Sequence, residues 1–223
     1  MIINILHLYY DLLNLYGESG NLKALIYSLK NQNVKVNVDY LSINDEIDFS
    51  KYDLIYIGCG TKKNVLIALD DIKKYKCELK DYIENDKFII STGNSLNLFG
   101  MSIDEKDALS IFGYKTSFLN ERVVGDRIID SDLTKDKIIG FLNNDSKILD
   151  NNSPLFHEDL GFNYNNFYGT YLLGPLFVRN PEFNKYIVTK LIKQKNNKFK
   201  FKKFDLTLDK MAYDSYFKTY YEV

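Results

Sequence analysis

Apolar residues in the first half of the chain fall into short runs, separated by stretches whose apolar positions recur at helical spacing. Ile2 to Leu8 is a near-continuous apolar run, suited to a strand buried on both faces of a parallel sheet. Gly17-Glu18-Ser19-Gly20-Asn21 reads as a turn, after which Leu22, Leu25, Ile26 and Leu29 mark one face of a helix. Val34, Val36 and Val38 alternate with polar residues as a second strand. Leu54 to Ile57 forms a third, closed by Gly58-Cys59-Gly60. Val65, Ile67 to Leu69 and Ile72 predict another helix, continuing to Ile83 with an imperfect phase. Phe88-Ile89-Ile90 is a fourth strand that runs straight into Ser91 to Gly100, STGNSLNLFG. This β-α-β order predicts a parallel sheet with helices on both faces, its functional loops gathered at the strands' C-terminal ends.

The pattern changes after Met101. Arg122-Val123-Val124-Gly125 and Lys137-Ile138-Ile139-Gly140-Phe141 read as strands between polar turns, Asn151-Asn152-Ser153-Pro154 as a loop, and Tyr168 to Leu172 as a further strand. Asn180-Pro181 starts a helix, with Asn180 as N-cap and Pro181 at its first position. Lys198-Phe199-Lys200-Phe201-Lys202-Lys203-Phe204 alternates like an edge strand guarded by lysines. Leu208, Met211, Ala212, Tyr216 and Tyr220 are spaced as the packing face of a last helix. No repeat or linker divides the chain. The expected organisation is one domain over residues 1–195, with residues 196–223 as a strand and amphipathic helix packed on it.

Composition narrows the function classes. The chain has 223 residues, 45% of them hydrophobic and 26% charged, ordinary for a folded globular protein. A formal charge of −1 gives the whole molecule no reason to bind nucleic acid or an anionic membrane. No apolar run approaches the roughly 20 residues that cross a bilayer, so membrane insertion is not expected. The N-terminus lacks the basic region and cleavage site of a signal peptide. The two cysteines, Cys59 and Cys77, form no disulfide framework, which points to a reducing, cytoplasmic setting. Nothing in the sequence calls for a metal or a cofactor.

Candidate chemistry lies in a few phrases. His7 to Gly17 reads HLYYDLLNLYG, Asp53 to Gly60 reads DLIYIGCG, and Gly169 to Pro175 reads GTYLLGP. Together with STGNSLNLFG these resemble the class I glutamine amidotransferases of the CobB/CobQ-like type. Within that family the chain is most similar to the GatD-like glutaminases of lipid II isoglutaminyl synthase, over residues 1–192. The resemblance implies a flavodoxin-like, three-layer α/β fold. It also implies a cysteine nucleophile at a strand-to-helix turn, where the helix dipole and a histidine stabilise the thiolate. Anchored on Gly100 and on Asn97, the family's Gln position, Gly93 stands where that cysteine belongs, or Thr92 in a register shifted by one. Leu173 stands in place of the histidine, which in the family takes and returns the thiol proton.

Other positions follow from the same resemblance. The Gly58-Cys59-Gly60 loop corresponds to the family's oxyanion-stabilising, substrate-contacting loop. Arg122, in Glu121 to Asp126, matches an arginine of glutamine recognition and is able to pair a carboxylate bidentately. Gly161 to Phe167 is shorter than the family's glycine-rich stretch. Of the two histidines, His7 belongs to the first strand as a structural residue and His157 to a solvated loop beside Glu158 and Asp159.

Three functions are compatible with these residues. The first is a degenerate amidotransferase without glutaminase activity, a structural or regulatory subunit with a Mur-ligase-like synthetase partner in lipid II amidation. The second is an active glutaminase with a relocated nucleophile, Cys59 or Thr92, serving lipid II or cobyric-acid-type amidation. The third is a glutamine-binding sensor that retains Arg122.

Overall fold

The computed structural model describes residues 1–221. Its central sheet is built from β1 (Ile2–Leu8), β2 (Lys35–Leu41), β3 (Leu54–Ile57), β4 (Phe88–Thr92), β9 (Gly161–Tyr164) and β10 (Phe167–Thr170), in the order β2-β1-β3-β4-β10-β9. Every pairing is parallel except the last, where β9 returns antiparallel to β10. All four residues of β3 and all five of β4 are buried, as expected of central strands covered on both faces.

Helices α1 (Ser19–Asn31), α2 (Lys62–Ile72), α3 (Lys76–Glu84), α4 (Leu176–Arg179) and α5 (Pro181–Lys195) flank the sheet, and α1 packs on α4 and α5. The long helix expected over Val65 to Ile83 is two helices joined by a 3-10 turn at Lys73–Tyr75. That turn corrects the imperfect phase. It brings Leu79, Tyr82 and Ile83 onto the core side after Val65, Ala68, Leu69 and Ile72.

A second sheet grows from the loop after β4. Two-residue strands β5 (Ser102–Ile103) and β6 (Lys106–Asp107) lie beside a long hairpin of β7 (Lys115–Ile129) and β8 (Ile138–Leu149). Both hairpin strands are much longer than the apolar pattern predicts, because the polar positions are paired too. Pairing is interrupted between Phe118 and Val123. The hairpin docks on the main body where Phe141 and Leu173 exchange two backbone hydrogen bonds, 3.2 and 2.8 Å long.

The C-terminal expectations need correction. Residues 196–206 form no strand; they cross helices α1 and α5, whose backbone groups are already bonded internally and offer no ladder. From α1, the Gln32 C-cap side chain meets this backbone, donating to Lys202 O at 2.9 Å and accepting from Lys202 N at 2.7 Å. Helix α6 (Thr207–Tyr220) does form, but none of its residues is buried. Of the expected packing face, Leu208, Met211, Ala212 and Tyr220 are exposed, while Tyr216 turns inward under Arg179; Tyr213, not expected there, also turns inward and donates to Lys137 O. The last two residues of the expected 196–223 appendage lie outside the described residues. Asn180 does stand at the N-cap position of α5, with Pro181 in its first turn, but its side chain makes no capping bond to α5 and donates to Leu176 O of α4 at 2.8 Å. It also bonds both backbone groups of Ile139.

Candidate functional site

The C-terminal ends of β3, β4 and β10 converge, and they carry the three loops singled out by sequence. Gly93 opens the turn after β4 with φ +65°, a left-handed conformation that disfavours side chains. A Cβ built there would lie 2.5 Å from Cys59 Cβ, 2.7 Å from Cys59 Sγ and 3.0 Å from Leu173 Cδ2. Gly93, Cys59 and Leu173, drawn from three separate strand ends, therefore meet at one point. The sulfur of Cys59 fills the space that a side chain at position 93 needs, and Leu173 closes it. Cys59 and Leu173 are 3% and 1% exposed, so the point is sealed from solvent.

Cys59 is a thiol buried among backbone and amide groups. Burial pushes its pKa up to about 12, so the thiolate is negligible at neutral pH. Its loop is clasped by Asn94, which accepts from Gly60 N at 3.0 Å and donates to Gly60 O at 2.7 Å. The Cys59 thiol also points to Asn94 Oδ1 at 3.5 Å. Gly58 and Gly60 fit against Leu13: a Cβ on either would come within 2.4 Å of its carbonyl oxygen or its side chain. The Gly60 N–H, a candidate oxyanion donor by position, already has an acceptor.

Asn97 is buried and fully occupied. It donates to Ser146 Oγ at 2.9 Å on β8 and accepts from Tyr171 OH at 2.7 Å. Arg122 emerges from the interrupted part of the hairpin. One guanidinium nitrogen reaches Asp145 at 2.8 Å and another Asn143 Oδ1 at 2.9 Å, so its charge is balanced within its own hairpin. Lys62 stands 3.7 Å from the same Asp145. Arg122 and Asp145 both lie within electrostatic reach of Cys59, on the same side of the molecule.

Thr92 faces the opposite way, under helix α1. Its hydroxyl contacts the Glu18 carboxyl and stands 2.9 Å from Tyr56 OH. Tyr56 OH is 2.5 Å from Glu18 Oε2 and accepts from Asn21 Nδ2 at 3.0 Å, while Asn21 Oδ1 takes the Phe177 N–H at 2.9 Å. A polar strut thus links the first turn of α4 to the end of β4. Glu18 is wholly buried, its Oε1 has no partner, and burial raises its pKa to about 7 against the opposing hydrogen bonds of Thr92, Tyr56 and Asn21. Sequence reasoning missed this cluster because Glu18 and Asn21 sit in a polar stretch that reads as a surface turn.

The two histidines do not contribute. His7 is buried beside Tyr56, with ring centroids 5.3 Å apart and both ring nitrogens unpartnered, and burial lowers its pKa to about 4. His157 lies on the surface, 3.0 Å from Asp132. Among the described residues no cluster of His, Cys, Asp and Glu has the arrangement to hold a metal ion.

Against this geometry, residues 4–181 match the CobB/CobQ-like glutamine amidotransferase domain. The chain belongs to that family. It is 30% identical over 219 aligned residues to the lipid II isoglutaminyl synthase (glutamine-hydrolyzing) subunit GatD of Staphylococcus aureus (strain N315), an alignment spanning 91% of this chain and 90% of that one. The subunit of the same name from Streptococcus pneumoniae (strain ATCC BAA-255 / R6) is 29% identical over 212 residues, 86% of this chain and 82% of its own. The mostly parallel sheet with helices on both faces is the α/β architecture the resemblance implies. At the positions where the resemblance implies a cysteine and a histidine, the strand ends carry Gly93 and Leu173, with the buried Cys59 between them.

Proposed function

We propose that this family member is a glutaminase scaffold without glutaminase chemistry, acting as a structural or regulatory subunit. Its partner is a Mur-ligase-like synthetase, and the pathway is lipid II amidation in the cytoplasm. The partner and pathway follow the relatives' role as subunits of lipid II isoglutaminyl synthase. The inactivity rests on one observation: Cys59 occupies the volume of any side chain on Gly93, with Leu173 packed against the same point. Thioester formation needs a thiolate and a base facing it. A dry leucine and a thiol with its pKa near 12 offer neither.

The geometry also favours Gly93 over Thr92 as the counterpart of the family's cysteine. Gly93 has the left-handed turn conformation and faces Cys59 and Leu173, whereas the Thr92 hydroxyl points into the Glu18 cluster. A relocated nucleophile finds little support: Thr92 has a carboxylate neighbour, but no surface of either group is open to a substrate. The sensor reading needs Arg122 to release Asp145 or to bind a carboxylate with its remaining N–H groups.

A glutaminase assay tests the proposal. The purified protein, alone and mixed with a Mur-ligase-like synthetase, is expected to release no ammonia from glutamine above the blank. Turnover that disappears on Cys59→Ala or Thr92→Val would overturn it.

A further inference from the structure

The net charge of −1 conceals a segregated distribution. Residues 185–218 hold ten lysines against three aspartates, a net of +7, so the remainder of the chain is strongly acidic. Of those ten, Lys185 pairs with Glu182 and Lys195 with Asp53; the other eight make no ion pair among the described residues. The fold concentrates them further. The run from Lys198 to Lys203 crosses the outer faces of α1 and α5, and α1 adds the exposed Lys23 and Lys30 with no acidic residue of its own.

Apolar side chains stand among these charges. Phe204 packs edge-on against the exposed Tyr27 of α1, with centroids 5.9 Å apart. Phe201, Phe204 and Met211 line an open groove of about 850 Å³ with Lys185, Lys203 and Lys210. Its carboxylates are Glu182, Asp205 and Asp214. Leu208, one turn before Met211 on α6, is 80% exposed and Met211 is 61% exposed.

We infer that this face, formed by α1, α5, the 198–204 run and α6, docks the protein peripherally on a bilayer rich in anionic phospholipid. Clustered lysines near such a surface each contribute about 1 kcal/mol, and apolar tips between them enter the headgroup boundary. A nucleic-acid backbone would satisfy the lysines but leave Leu208 and Met211 without a partner. The acidic remainder of the chain orients the molecule, because it is repelled by the surface that the basic face approaches. No helix among the described residues is long and apolar enough to cross a membrane, so the association is superficial.

Co-sedimentation of the full chain with vesicles tests this. The protein is expected to pellet with phosphatidylcholine vesicles containing roughly one-third phosphatidylglycerol at about 0.1 M salt, to be released at about 1 M salt, and not to bind phosphatidylcholine alone. Replacing Lys198, Lys200, Lys202 and Lys203 together by Ala alters only exposed side chains, so the melting temperature should hold. Affinity should fall on the order of a thousandfold. Leu208→Ser with Met211→Ser should weaken binding while leaving its salt dependence in place. Failure to bind the anionic vesicles, equal binding by the four-lysine variant, or tighter binding to duplex DNA than to vesicles at the same salt would each overturn the inference. Glutaminase activity is not read, so the outcome is separate from the proposal above.

Discussion

A Cβ on Gly93 would stand 2.5 Å from the Cβ of Cys59, about 1 Å inside the distance at which two carbon atoms attract. The glycine and the cysteine are therefore mutually fitted. The turn after β4 accepts the side chain from the loop after β3 because position 93 contributes none. Cys59 in turn has too little contact with water to ionise.

Gly93→Ala should destabilise the protein by about 2–4 kcal/mol, combining left-handed strain with overpacking. Cys59→Gly in the same background should recover the overpacking part and leave about 1 kcal/mol of strain. Urea unfolding of the two single variants and the double variant checks this. Additive losses would mean that the two side chains do not share the space.

Cys59 and Cys77 should differ sharply toward an alkylating reagent. Cys77 is exposed and should label in the native protein, whereas Cys59 should stay unmodified near neutral pH and react only after unfolding. Peptide mass spectrometry after brief iodoacetamide treatment distinguishes them. Comparable labelling at both sites would contradict the sealed site.

Buried Glu18 and His7 pull the pH dependence of stability in opposite directions. Glu18 has a folded pKa of about 7 against 4.5 for the free group, so the native state holds a proton that the unfolded chain has released. Its contribution is present below 4.5 and is lost as pH rises to 7, by about 3 kcal/mol. His7, at about 4 against 6.5, gives stability present above 6.5 that is lost as pH falls to 4, also by about 3 kcal/mol. The slopes nearly cancel where they overlap. Glu18→Gln should leave a stability that rises with pH across that window, and His7→Leu one that falls, as read by thermal melts at several pH values. Parallel profiles for both variants and the parent would refute the assignment.

Asn180→Ala should cost about 2–3 kcal/mol, because the side chain meets both Ile139 N, at 2.8 Å, and Ile139 O, at 2.7 Å. The loss should accompany faster hydrogen exchange at the Ile139 amide, since Asn180 helps hold the hairpin near Leu173. Unchanged exchange at Ile139 would show the hairpin to be held without Asn180.

Strand and helix positions in the first half were legible because their apolar periodicities are local and the central strands are buried on both faces. Ile2 to Leu8 and Leu54 to Ile57 are strands over those same residues. The motifs also carried the family and placed Gly93, Cys59 and Leu173 on strand-end loops. A linear pattern says nothing about which loops touch or what surrounds a side chain. The same limit hid that the Asn180 side chain bonds Ile139 and not its own helix, and made the 198–204 run look like an edge strand and Leu208 and Met211 like core. Periodicity reports a face but not the surface that covers it. Glu18 reads as a solvated turn until α1 folds over β3 and β4, and the lysines disappear into a net charge of −1 until the helices set them on one side. Local chain chemistry chose the elements and the family. The packing of strand ends, together with the removal of water that only packing can achieve, decided that the thiol is sealed from solvent, the carboxyl protonatable near neutrality, and the charge one-sided.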